Sequence, residues 1–463
     1  MKVEIVQVWR NRYEERRLSA MVPPLTSLHL AALVPNDVEV AVRHEKVSPV
    51  DYDTDADLVA LSFFTGVAAR AYAHSRELRR RGKKVVMGGP HVTMLPDEAA
   101  AHADAVVVGE GESVWRRVIE DAARGRLAPR YQGEARPLAG LPPPRYDLLE
   151  PRFAVRRVVM ATRGCPYRCS FCTTAVLFPR FRTRPVEEVV RDIESLPGGN
   201  WLQRKLVWFW DDNLLVDRRY GKALLRAMVP LRKWWVTQTS LDCAEDEELL
   251  DLMRASGCAA IFIGIETLDA ASLRQANKMF APRARVARAI ERLHEARIAV
   301  LGGYIVGFDG ERPADVVAAA AALDDLGVDV PFLSVLTPYP GTPQRAAYER
   351  AGRLLDGRGW RWYDGYNVAF RPAAMTPAEL EAAHRELWRQ AFALGRAAAR
   401  VVRVAQRGGP GALALAAAMN GYYGLRQLLG RIPAAPGEEE NEPPVPSRSI
   451  EEVKGASEFP PRL

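Results

Sequence analysis

The chain is poor in cysteine, with five in 463 residues, and it has no long uninterrupted apolar run. Five cysteines cannot form a disulfide framework for this length, and three of them fall between Cys165 and Cys172. That clustering points to metal or redox chemistry in a reducing compartment. No stretch reaches ~18 apolar residues, so no membrane-spanning helix is expected. The opening MKVEIVQVWRNRYEERR lacks the apolar core of a secretory signal and reads as a first strand. A cytoplasmic location is the expectation. What is present is ordinary: 48% hydrophobic and 26% charged residues exclude wholesale disorder, and the length suits two or three domains. The net charge of +7 is spread over an Arg-rich chain and does not by itself call for nucleic acid.

Residues 1–130 alternate buried-strand runs (VEIVQVW, LVALSFF, KVVMGG, DAVVVGE) with helical patterns, which predicts a parallel, doubly wound sheet. A ligand belongs beyond the carboxyl ends of such strands. Those ends read Ser62-Phe63-Phe64-Thr65, Gly88-Gly89-Pro90-His91 and Gly109-Glu110-Gly111-Glu112, with glycines that allow close backbone approach. A Pro-rich linker is expected over 131–152. Six strand–helix units then run through 153–345, from VRRVVMATRG to PFLSVLTPYPG, and predict a partial or full barrel with its site at the strand carboxyl ends. Residues 346–432 read as helical and 433–463, with PAAPGEEENEPPVPSRS, as a disordered tail.

Cys165, Cys169 and Cys172 lie on one loop after the first barrel strand. Three thiolates can hold three irons of a cubane cluster, leaving the fourth iron open for catalysis. Zinc would need a fourth Cys or His nearby, and none lies within twenty residues of the loop. Cys243 and Cys258 read as ordinary buried thiols.

Cys-x-x-x-Cys-x-x-Cys in this setting resembles the radical S-adenosylmethionine superfamily, over roughly Val155 to Pro343. The resemblance implies a 4Fe-4S cluster on the three cysteines and S-adenosylmethionine chelating the open iron, with Phe171 near the adenine. It further implies cofactor contacts from Asp211-Asp212-Asn213 in place of the usual Gly-Gly-Glu. Ser240 and Glu266 would meet ribose hydroxyls. Gly303, Ile305 and Gly307 come from the fifth-strand motif and Thr337 from the sixth strand end; Glu311 stands displaced from the motif's usual Glu. Arg163 stands beside the cluster, where its charge can tune the potential.

The first domain is similar to that of the cobalamin-binding subfamily, most clearly along GGPHVTMLPDEAAAHADAVVVGEGE. This resemblance assigns Ser62, Thr65, Gly88, Gly89, His91, Gly109 and Glu110 to cobalamin. The usual Asp-x-His-x-x-Gly is absent: Trp9 to Glu15 contains no His, so cobalamin without a protein His on cobalt is expected. The fold class implied is α/β, a Rossmann-like cobalamin domain, then a partial (β/α)6 radical barrel, then a helical C-terminal region. The implied activity is methylation of an unactivated carbon in a small-molecule or lipid substrate, with an electron donor such as flavodoxin or ferredoxin and no nucleic acid.

Three rivals differ in kind. A cyclase would use both cofactors without methyl transfer. A transfer-RNA methylthiotransferase needs cysteines ahead of Cys165 and a C-terminal barrel, and the sequence offers neither. A cobalamin sensor would gain nothing from an open cluster. Finally, Arg396, Arg400, Arg403 and Arg407 recur at helical spacing and suggest a basic face that could touch an anionic membrane.

Overall fold

The computed structural model describes residues 1–9, 22–195, 199–278 and 282–430. The expected tail and most of the Trp9 to Glu15 segment lie outside these residues.

Two parallel six-stranded sheets dominate. The first contains β1 (Lys2–Gln7), β2 (Glu39–His44), β3 (Leu58–Ser62), β4 (Lys84–Gly88), β5 (Ala105–Val108) and β6 (Arg130–Gln132). Their order β2-β1-β3-β4-β5-β6 reverses direction of winding at β1, which leaves a crevice at the carboxyl ends of β1 and β3. Val6, Val59, Leu61 and Met87 bury one face; Val3, Ile5, Leu58 and Val86 bury the other. Both faces are therefore apolar, as a sheet covered by helices requires.

A short antiparallel pair, β8 (Thr162–Arg163) with β9 (Arg182–Thr183), brackets the cysteine loop. It interrupts the second sheet, formed by β7 (Arg157–Val159), β10 (Leu206–Phe209), β11 (Trp234–Gln238), β12 (Cys258–Glu266), β13 (Ala299–Val306) and β14 (Val330–Val335). The order β14-β13-β12-β11-β10-β7 is an open, partial barrel. Strand alternation turns Val207, Trp235, Ile261, Val300 and Leu333 toward the surrounding helices. Trp208, Val236, Phe262, Leu301 and Phe332 take the inner side.

That inner side is closed twice. The last helix, Pro410–Leu428, lays Ala412, Leu415, Ala416 and Met419 across it. Gly411 is needed where this helix begins, because a Cβ there would stand 2.8 Å from the Trp234 ring. Toward the open edge, Val22 and Leu25 from the first domain and Leu138 and Leu141 from the Pro-rich stretch pack on Val158, Met160 and Trp208. Each buried side chain of this kind contributes about 1.5–3 kcal/mol before chain entropy is counted.

One expectation is overturned here. The four arginines of helix Leu394–Arg407 do not form a solvated basic face. Arg396 and Arg400 bind Asp324 at 2.6 and 2.8 Å, Arg403 binds Asp329 at 3.2 Å and Arg407 binds Glu291 at 3.1 Å. The helix is held to the barrel by these pairs, and the charge argument for a membrane disappears with them. Among the described residues, no helix is long and apolar enough to cross a membrane.

Candidate active site

The cysteine loop starts from a glycine that only glycine can fill. Gly164 has φ +85°, and a Cβ there would stand 2.6 Å from the Arg180 carbonyl. Its N–H donates to Asp212 Oδ2 at 3.0 Å, and Thr174, at the start of the next helix, donates to Asp212 Oδ1 at 2.9 Å. Asp212 therefore ties the two ends of the loop together. Asn213 works beside it: Oδ1 accepts from Thr239 Oγ1 at 2.9 Å and from the Ser240 N–H at 3.0 Å, while Nδ2 donates to Cys165 Sγ at 3.7 Å. Asp211 has a different task from the one expected. It is buried, and its carboxylate accepts from the Ala161 N–H at 3.2 Å, the Thr162 N–H and Thr162 Oγ1 at 2.6 Å. Burial pushes its carboxyl up to about 7. Its oxygens are engaged by the β7–β8 corner.

The three thiols are unpaired with one another and half-buried. Burial pushes Cys169 up to about 11 and raises Cys165, with the neighbouring thiols acting in the same direction. Sulfur held this way is relieved of the cost of burial when a metal displaces the proton. A donor N–H on Cys165 and the Lys278 ammonium near Cys169 both favour sulfur that carries negative charge. The donor set fits an iron–sulfur cluster.

Phe171 packs on the barrel core and meets Phe308 edge-on at 6.5 Å. Gly303 sits on the inner side of β13 and leaves room for Phe262, which a Cβ would approach to 2.8 Å, while half-buried Ile305 packs on the same core as Phe171. Glu266 ends β12, as expected from the sequence, whereas Ser240 lies two residues beyond the end of β11. Glu266 has φ +64°, a strained conformation for a side chain with Cβ, and follows a register shift in β12. Its Oε1 accepts from Lys278 Nζ at 2.6 Å. Two expected contacts turn elsewhere: Gly307 faces Leu380 on the helix side, and buried Thr337 donates its hydroxyl to the Val335 carbonyl at 3.0 Å. Glu311 caps the same turn, accepting from the N–H groups of Gly307 and Phe308 at 2.7 and 3.2 Å.

At the edge of the first sheet, Gly89 has φ +99°, and a Cβ would stand 2.9 Å from the Phe63 N–H and 3.1 Å from Ser62 Oγ. Gly88 is half-buried and open, since a Cβ there would meet nothing nearer than 3.8 Å. This cradle of Ser62, Gly88 and Gly89 fits a large cofactor brought close to backbone. The exposed Phe64, edge-on to Trp9 at 6.1 Å, flanks it.

Four assigned positions, His91, Thr65, Gly109 and Glu110, are engaged within the protein instead. His91 is fully buried, with Nε2 on Tyr72 Oη at 3.0 Å and Nδ1 on Thr65 Oγ1 at 3.3 Å. His91 and Thr65 thus satisfy each other below the surface. Glu110 is buried under Arg163 Nη1 at 2.6 Å and under Arg182. Arg163 also reaches Glu112 at 2.5 Å, and half-buried Gly109 packs against Gly133, whose carbonyl a Cβ would approach to 2.6 Å. The sequence carries no sign of this clamp, because its partners lie 51 to 72 residues apart. Lys278 is equally hidden; it follows a helix in no recognisable pattern. Trp210 and Gln238, exposed at two strand ends, stand out as odd residues in KLVWFWDDN and WWVTQTSLD.

Comparison with known proteins agrees with this geometry. Residues 159–340 match the Radical SAM superfamily and residues 22–119 match the B12 binding domain. The bacteriochlorophyllide d C-12(1)-methyltransferase of Chlorobaculum tepidum is 30% identical over 363 residues, covering 76% of this chain and 79% of that protein. The hopanoid C-2 methylase of Rhodopseudomonas palustris is 26% identical over 353 residues, covering 73% and 66%. Among solved structures, the radical S-adenosylmethionine methyltransferase TsrM from Kitasatospora setae, with cobalamin and a [4Fe-4S] cluster bound, superposes with a TM-score of 0.62 at 18% identity, over 84% of this chain and 88% of that one.

Proposed function

Because the chain belongs to the family of cobalamin-dependent radical S-adenosylmethionine methyltransferases, we propose that it methylates an unactivated carbon of a small-molecule or lipid substrate held between the carboxyl ends of its two sheets. When bound, the cluster and S-adenosylmethionine supply radical chemistry and cobalamin supplies the methyl group. Cys165, Cys169 and Cys172 hold the cluster on a loop that Gly164, Asp212 and Asn213 keep in shape. Phe171, Asp212, Asn213, Ser240, Glu266, Gly303 and Ile305 are the positions we assign to S-adenosylmethionine. Ser62, Gly88 and Gly89 are those we assign to cobalamin.

The observation that carries this reading is the Arg163–Glu110 and Arg163–Glu112 clamp at 2.6 and 2.5 Å. It fixes the loop after β5, at the cobalamin edge, directly against the cysteine loop. The exposed Trp210, edge-on to Trp208 at 6.3 Å and donating its indole N–H to the Pro23 carbonyl at 2.9 Å, favours an apolar substrate. We place the enzyme in the cytoplasm with a flavodoxin- or ferredoxin-type donor. The anaerobic magnesium-protoporphyrin IX monomethyl ester cyclase of Cereibacter sphaeroides, 25% identical over 380 residues, keeps ring formation as the second reading. Product mass decides between them: a methylated product carries the mass of one added CH2, and a cyclised one loses hydrogen without gaining carbon.

A further inference from the structure

The reaction proposed above consumes an electron that the chain does not itself supply, and the following inference rests on that reading. We propose that the outward side of the cysteine loop, marked by Arg168, Arg180 and Arg274, is the docking surface for an acidic one-electron carrier protein.

Arg168 stands between Cys165 and Cys169 in the loop and is exposed. Its guanidinium donates to the Pro179 carbonyl at 2.8 Å and the Ala175 carbonyl at 3.3 Å, so it is held in place by neutral groups and keeps its charge. Arg180 is the next residue along; its carbonyl abuts Gly164 while the residue itself is exposed. Arg274 belongs to the neighbouring helix Ala270–Gln275. The chain just after that helix grips the loop, with Ala276 accepting from the Ser170 N–H at 2.8 Å and Asn277 donating to the Arg168 carbonyl at 2.8 Å.

None of these three arginines forms an ion pair with a carboxylate among the described residues. Three acids of the surrounding surface are already taken, Asp242 by Arg218 at 2.6 Å, Glu245 by Arg285 at 2.6 Å and Asp309 by Arg353 at 2.5 Å. Asp269, whose charge Arg274 feels, caps the start of the same helix as Arg274 through the Ser272 N–H at 2.7 Å. The contrast with Arg163 and Arg182 is sharp, since both of those bind Glu110. The same loop is neutralised where it meets the first domain and left cationic where it faces solvent. A cationic rim beside the metal-holding thiols steers an anionic partner and orients it there. On docking, the carrier is oxidised by one electron and the cluster reduced by one; no bond is made or broken, and any proton lost by a flavin hydroquinone goes to solvent.

The test uses the full-length, cluster-loaded protein and an acidic flavodoxin. Its Kd is measured at low and high salt for the wild type and for a double variant, Arg180→Glu with Arg274→Glu, neither of whose side chains holds the loop. The rate of cluster bleaching by flavodoxin hydroquinone is compared with that by dithionite. The expected result is a Kd weakened by about tenfold or more in the variant and by added salt in the wild type, with dithionite reduction unchanged. A Kd indifferent to both the charge reversal and salt overturns the docking surface. Should the variant lose iron, the wild-type salt dependence alone decides. If dithionite cannot reduce the wild type, the failure belongs to the cluster reading and not to the surface.

Discussion

The two cofactor edges are built on opposite principles. The cysteine loop is made by side chains that are present: three thiols, with Asp212 and Asn213 bonding the loop from below. The edge of the first sheet is made by side chains that are missing, since a Cβ at Gly89 would collide with Phe63 and Ser62. The first edge binds through a few strong, specific bonds and the second through shape and close backbone approach. Chemistry can therefore be removed from the first without disturbing the fold, whereas the second can be blocked only by adding atoms.

The largest effect expected is on the first edge. Cys165→Ala, Cys169→Ala or Cys172→Ala should abolish iron binding, the visible absorption of the cluster and all turnover, while circular dichroism stays near the wild type and Tm near that of the wild-type chain without its cluster, because these side chains are only half-buried. Unfolding of these variants would break the comparison. At the second edge, Gly89→Ala should lose cobalamin and destabilise the fold by about 2–4 kcal/mol, read by denaturant titration. Gly82→Ala is the control, because Gly82 also has positive φ but nothing within 4 Å of the added carbon. It should cost only about 1 kcal/mol and leave cobalamin binding intact.

A smaller effect sharpens the barrel side. Burial raises the Glu311 carboxyl from 4.5 to about 7. The folded state therefore holds this proton more tightly than the unfolded chain. Its contribution to stability is full below about pH 4.5, declines as pH rises through about 7 and is flat above. Glu311→Gln should flatten that part of the Tm-against-pH curve; an unchanged slope would show that another group is responsible. The smallest effect on the cofactors is that of His91→Ala. With both ring nitrogens engaged inside the protein, its loss should cost about 1–3 kcal/mol and leave the spectrum of bound cobalamin unchanged.

Elements whose burial is uniform are legible in the sequence. Runs such as LVALS and AVVV are buried at every position, and they read as strands without ambiguity. β2 escapes such reading because EVAVRH is mostly half-exposed at the sheet edge, and β6 because only Tyr131 of its three residues is buried. The cysteines are legible from spacing, since metal chemistry restricts residue type. Asp211 misleads because a buried carboxylate bonding backbone and one aimed at a ligand look alike in sequence; only the positions of Ala161 and Thr162 separate them. The arginines of helix Leu394–Arg407 mislead for a similar reason. Helical spacing shows that charges share a face but not that Asp324, Asp329 and Glu291 lie opposite.

The clamp also bears on the order in which the molecule is made. Glu110 and Glu112 precede Arg163 by 53 and 51 residues, and they sit at the end of a strand that belongs wholly to the first sheet. Domains fold as units during synthesis, the N-terminal one first. The two carboxylates are thus in place when the cysteine segment leaves the ribosome, and the nascent loop closes onto anchors already standing. A first domain that folds late would release three thiols unrestrained, open to oxidation before iron reaches them.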